Sequence, residues 1–131
     1  MLSHAMVGTN DRAAAGAFYD KVLATLGYTR AGDGDRGTFY SDGLNNFIVG
    51  TPANGEPAFP ANGATIGFTA SSIEAVDAFA SSVEDAGGRM IEDPPGIRIN
   101  PFGQFYIAYA RDLDGNKICA LYGPLTEEEK E

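Results

Sequence analysis

A strand followed by a helix near the start of the chain recurs sixty-one residues later, and this repeat constrains the fold more than any other feature of the sequence. Residues 2–8 alternate as a half-buried strand does, and Asn10-Asp11 supplies side-chain oxygens to cap a helix with apolar positions at Ala14, Phe18, Val22 and Leu26. Gly27 stops that helix. Residues 63–70 alternate again, Ser71 to Glu74 offers a capping box, and Ile73, Val76, Phe79, Ala80 and Val83 follow at helical spacing until Gly87-Gly88. Aligned without a gap, Ala14, Ala17, Phe18, Val22 and Gly27 coincide with Ala75, Ala78, Phe79, Val83 and Gly88. These are helix positions and a helix stop, where a duplicated unit needs the same chemistry twice, so the halves read as copies of one unit.

Each helix is followed by three strand-like pieces: 28–31, 37–41 and 46–51 in the first half, and 89–92, 104–111 and 116–122 in the second. The order βαβββ therefore occurs twice, and the fold class is α+β. Module one covers residues 1–52, a Pro/Gly-rich linker 53–62, module two 63–123, and an acidic tail 124–131 that reads as frayed and solvated. A chain of 131 residues can stabilise this arrangement on its own core.

Charge and composition narrow the function. A formal charge of -9, with the few bases scattered, disfavours a nucleic-acid partner. No segment approaches the ~20 apolar residues that cross a bilayer, and the N-terminus lacks a leader pattern, so no membrane association is expected. The single cysteine, Cys119, forms no internal disulfide; cytoplasm is the expected compartment. Asp112, Asp114 and Gly115 lack the further ligands of a calcium loop and read as a hairpin turn. Gly32, Gly34 and Gly37 precede no helix and no Lys-Ser/Thr, so they do not make a phosphate loop. The only His lies on a strand and no nucleophile elbow exists, which excludes a serine triad.

The paired βαβββ order, the opening His4, the Ala17-Phe18-Tyr19 segment and the closing run Arg111-Asp112-Leu113-Asp114-Gly115-Asn116-Lys117-Ile118 together resemble the vicinal-oxygen-chelate superfamily. That superfamily includes glyoxalase I, extradiol dioxygenases, and bleomycin- and fosfomycin-resistance proteins. The resemblance spans residues 1–123 and implies sheets rolled into a cup-shaped cavity with the helices outside, a homodimer, and a small-molecule ligand. It also implies a place for a divalent metal, with one His or Glu from the first strand and one from the last strand of each half. His4 occupies the first such position and is the one candidate metal ligand. Thr65 stands at the corresponding point of the second half, Asn46 to Val49 offer neither carboxylate nor imidazole, and Cys119 stands where a Glu is expected. One His and one Cys fall short of the three protein ligands of an open catalytic zinc site, so no strong divalent site is expected, and a divalent metal enters only with the alternative in which His4 serves as a ligand.

What remains is the cup. If His4 and Cys119 face inward, strand alternation selects Met6, Thr65 and Gly67 on the opening strands. Pairing residue 108 with 119 across the last hairpin adds Tyr106, Ala108 and Leu121, and turns Ile107 and Tyr109 toward the helices. A loop over 94–104 brings Arg98 and Asn100 to the rim, one cation suited to a ligand bearing a carboxylate, phosphate or phenolate. Three functions fit: a metal-free small-molecule binding protein, a lyase, isomerase or dioxygenase that uses His4, and an interaction module whose cup is filled by side chains.

Overall fold

The structure, a computed structural model, describes residues 2–130. Its elements are β1 (His4–Gly8), α1 (Arg12–Ala24), β2 (Thr29–Asp33), β3 (Gly37–Ser41), β4 (Asn46–Gly50), β5 (Ile66–Thr69), α2 (Ile73–Asp85), β6 (Arg89–Asn100), β7 (Gly103–Arg111) and β8 (Lys117–Tyr122). Each half is βαβββ. The strands form two four-stranded sheets, ordered β1-β4-β3-β2 and β5-β8-β7-β6, each with its opening strand parallel to its last.

Both helices begin on a short polar side chain that accepts a free backbone N–H: Asp11 from Ala14, and Ser72 from Ala75. The cap of α2 is Ser72 and not Ser71, so Glu74 falls in the first turn and the expected capping box does not form. The buried stripe of α1 is Ala15, Phe18, Tyr19, Val22 and Leu23, with Ala14 and Leu26 only half-buried. Gly27 and Gly87 take the left-handed conformation, at φ 85° and 96°, while Gly88 has another reason to be glycine. A Cβ there would lie 2.7 Å from the Arg111 carbonyl and 2.8 Å from the Phe18 ring. The helix stops are thus sixty residues apart although the caps, Asp11 and Ser72, are sixty-one apart, and the second half turns one residue sooner.

Between helices and sheets lies one core shared by both halves, in which Phe47 of β4 meets Phe68 of β5 edge to face at 5.1 Å and Tyr28 meets Phe68 at 5.5 Å. The segment between the last strands also ties the halves. Buried Asp112 accepts from the Tyr19 hydroxyl of α1 at 2.5 Å and from the Asn116 amide, which also donates to the Gly8 carbonyl of β1. The Asp-Leu-Asp-Gly-Asn run, the most patterned segment of the sequence, is therefore a clasp between modules.

Two expectations fail in the C-terminal half, at β6 and at the tail. The strand continues through residues 94–100, where a rim loop was expected, and crosses Pro94-Pro95 by a bulge between Ile91 and Gly96. Proline is tolerated because β6 is an edge strand. The tail is also less free than its charge suggests: Leu125 is buried, its N–H donates to the Gln104 carbonyl, and Tyr122 donates to Glu129. No helix among the described residues is long and apolar enough to cross a membrane.

Candidate functional site

The face of each sheet turned away from its helix is set by alternation on the strands. In module one, Val7, Tyr40, Phe47 and Val49 enter the core, leaving His4, Met6, Phe39 and Ile48 on the other face. In module two, Phe68, Ala108, Ile118 and Ala120 enter the core, leaving Gly67, Tyr109, Cys119 and Leu121 on the other face. Met6 pairs with Ile48 and Gly67 pairs with Cys119, and Met6 and Gly67 are sixty-one residues apart. Ile48 is therefore the first-half equivalent of Cys119.

That equivalence completes the test of the implied metal position. Its four candidate side chains are the imidazole of His4, the hydrocarbon of Ile48, the hydroxyl of Thr65 and the thiol of Cys119. His4 is exposed, with Nδ1 2.8 Å from Ser3 Oγ, and Thr65 is exposed just before β5. Cys119 is buried, and burial pushes its thiol up to about 11, past the opposing pull of Lys117. A neutral thiol, a hydroxyl and a hydrocarbon do not complete a first-row divalent site around one imidazole. Among the described residues, no three His, Cys, Asp or Glu side chains gather to hold a metal ion.

The registers also correct the sequence-derived lining. Tyr109 pairs with Cys119 and Ala108 with Ala120, because the last turn spans Asp112 to Asn116 and not Asp112 to Gly115. A slip of one residue sends every side chain of a strand to the opposite face. Tyr106 and Ala108 thus point toward the helices: Ala108 is fully buried in the shared core and the Tyr106 hydroxyl donates to Asp77 of α2 at 2.8 Å. Ile107 and Tyr109, expected toward the helices, lie with Cys119. Arg98 sits within β6, where its guanidinium donates to the Glu92 and Pro94 carbonyls and braces the bulge. Asn100 is held in the β6–β7 turn, its side chain accepting from Phe102 N–H.

As a result the two cups differ. That of module two is filled by its own side chains: Phe105, Ile107 and Cys119 are buried as a separate cluster, with Tyr109 and Leu121 against them. Lys117 covers the Tyr109 ring with its ammonium 4.8 Å from the centroid and is ion-paired with Glu92. A Cβ at Gly67 would already stand 3.3 Å from Cys119 Sγ. Module one is open. A cavity of about 360 Å³ lies over β3 and β4, walled by Met6, Phe39 and Ile48, with Asp35, Arg36 and Ala53 at its mouth. A smaller one of about 150 Å³, bounded by Phe59, Ile66 and Lys117, also includes Met6. His4 and Gly67 line a separate crevice of about 180 Å³ between the modules, together with Asn45, Asn46 and Tyr28.

Of the residues expected at the site, only Met6 borders the open cavity. Phe39, Ile48 and Arg36 were missed, although the alternation of Thr38 and Tyr40 with Gly37 and Phe39 places Phe39 away from the core.

Comparison with known proteins agrees with the topology. The model of the Glyoxalase/Bleomycin resistance protein/Dioxygenase superfamily matches residues 1–120. A crystal structure of a glyoxalase/bleomycin resistance protein from Albidiferax ferrireducens is 46% identical, with 94% of this chain and 99% of that chain covered and a TM-score of 0.90. An integron cassette protein from the mobile metagenome of V. cholerae is 25% identical, covering 93% and 94%, at a TM-score of 0.66. The fosfomycin resistance protein of Mesorhizobium loti shares the fold at 20% identity, covering 98% and 96%, with a TM-score of 0.67. Among proteins of curated function, none matches this sequence. Two βαβββ modules in this order, matched over nearly the whole chain, place the protein in the glyoxalase/bleomycin resistance protein/dioxygenase superfamily.

Proposed function

We propose that the protein binds a small, largely apolar molecule in the open cup of module one and does so without metal chemistry. The observation that carries this reading is the pairing of two features: the metal position holds Ile48 and a buried, protonated Cys119, while a cavity of about 360 Å³ stays open beside it. That size falls in the range of ligand pockets, and Met6 and Phe39 remain 47% and 41% exposed on its wall. Apolar side chains left open in a concavity gain from a ligand that removes them from water.

The experiment is elemental analysis of protein purified without chelator, combined with nickel and zinc titration. The expected result is well below one ion per chain and no change on His4→Ala. A stoichiometric ion lost in His4→Ala would establish the competing reading, an enzyme of the superfamily built on His4.

A further inference from the structure

The open cavity carries an uneven distribution of charge. Its walls are Met6, Phe39 and Ile48, and its one cation is Arg36 at the mouth. The Arg36 guanidinium donates to the Ala53 carbonyl at 3.2 Å. The ion pairs of the described residues fall on Arg12, Arg30, Lys117 and Lys130 and leave Arg36 without a carboxylate. Its other guanidinium N–H groups have no partner among the described residues, and their fork matches a carboxylate.

The floor is kept open by a missing side chain. Gly37 lies on the same face of β3 as Phe39, and a Cβ there would stand 2.9 Å from Ile48 Cγ2. With glycine, the room above Ile48 is apolar, flanked by a thioether and an aromatic ring, both of which favour an aromatic guest. Asp35 shares the mouth with Arg36. A ligand with one negative charge can pair with Arg36, while a second charge would find no cation, only Asp35 beside the first or the apolar wall at the far end of the ring.

We propose that the cavity takes a small aromatic monocarboxylate, its ring on Met6, Phe39 and Ile48 and its carboxylate on Arg36. This assignment of ligand class rests on the binding reading above. The anion moves from Arg98, whose guanidinium braces the β6 bulge through two carbonyls, to Arg36, which borders the cavity and whose guanidinium bonds only the Ala53 carbonyl.

The test uses the whole protein with methyl-labelled methionine, since the chain has only three methionines and Met6 is the one on the cavity wall. Cinnamate, its neutral isostere cinnamamide, and the dianion terephthalate are titrated while the Met6 methyl is followed by NMR. Cinnamate is expected to bind about tenfold more tightly than cinnamamide or terephthalate, as an exposed charge-assisted pair allows. Arg36→Gln should remove that preference without weakening cinnamamide, and Arg36→Lys should restore part of it. Equal binding of cinnamate and cinnamamide, unchanged in Arg36→Gln, overturns the assignment to an anion and leaves the binding reading intact. No movement of the Met6 methyl with any of the three overturns both. Movement with protein concentration alone, blocking all three probes, makes this face an interface between copies and also overturns the proposal.

Discussion

Cys119 shows how one residue can decline the chemistry its position suggests. It pairs with Gly67 at the point where a metal-binding member of the family would carry a carboxylate, yet it is buried with Phe105 and Ile107. Desolvation dominates its ionisation; Lys117 favours the thiolate but is itself ion-paired with Glu92, which opposes it. The thiol is held up to about 11 from its ordinary 9.0. Iodoacetamide at pH 8 should therefore alkylate native protein at least on the order of a hundredfold more slowly than urea-unfolded protein. Equal rates would show that the site opens. The sign of the pH dependence follows: the folded thiol keeps its proton to higher pH than the unfolded one. This contribution to stability is complete below pH 9 and is lost as pH rises toward about 11. Urea midpoints at pH 8 and above 10 measure it. In the sequence Cys119 stands two positions from Lys117, and nothing local separates an activated thiol from a packed one; the ion pair that spends that cation comes from Glu92, in the bulge of another strand, and was not legible.

At the scale of elements, alternation is readable and register is not. β7 was recognisable as a strand, but its inward face depended on whether Asn116 belongs to the turn or to β8. Side-chain chemistry settles it. Asp112 accepts from the backbone N–H groups of Asp114 and Asn116, and the Asp112 N–H donates to the Asn116 carbonyl, so the turn closes around both residues. The same carboxylate holds Tyr19, a contact ninety-three residues away in sequence that no local pattern announces. Asp112→Ala should leave the buried Tyr19 hydroxyl and Asn116 amide without their partner and cost about 2–4 kcal/mol in urea unfolding. Asp114→Ala, which removes only an exposed bond to the Asn10 N–H, should cost under about 1 kcal/mol. Similar losses for the two variants would mean that Asp112 shapes a turn and does not clasp the modules. β6 illustrates the opposite failure: Pro94-Pro95 is a sound local signal for a loop, but the edge of a sheet absorbs it as a bulge, and that moved Arg98 and Asn100 from a rim to a strand and its turn.

For the whole molecule, the repeat correctly announced two similar modules and the family resemblance implied the cup, but neither showed that the copies would diverge in use. Divergence lies in side-chain volume: Phe105 and Ile107 fill one concave face, while glycine at position 37 leaves the other open. Such volumes matter only once the register is known. Nor are the modules separate bodies, because Phe68 of β5 packs against Tyr28 and Phe47 of the first half, and it is only 4% exposed. Each half alone would leave that aromatic surface in water, at a cost a chain of about sixty residues has little reserve to meet. Folding should therefore be one cooperative event. Phe68→Ala, a cavity at the junction, should cost about 3–5 kcal/mol. Hydrogen exchange then separates the alternatives. Val22 of α1 and Val83 of α2 are both fully buried, and their amides should lose protection by the same amount although the substitution lies in only one module. Loss at Val83 with Val22 unchanged would show modules that unfold independently, and the shared aromatic core would then be a contact between domains and not the centre of one.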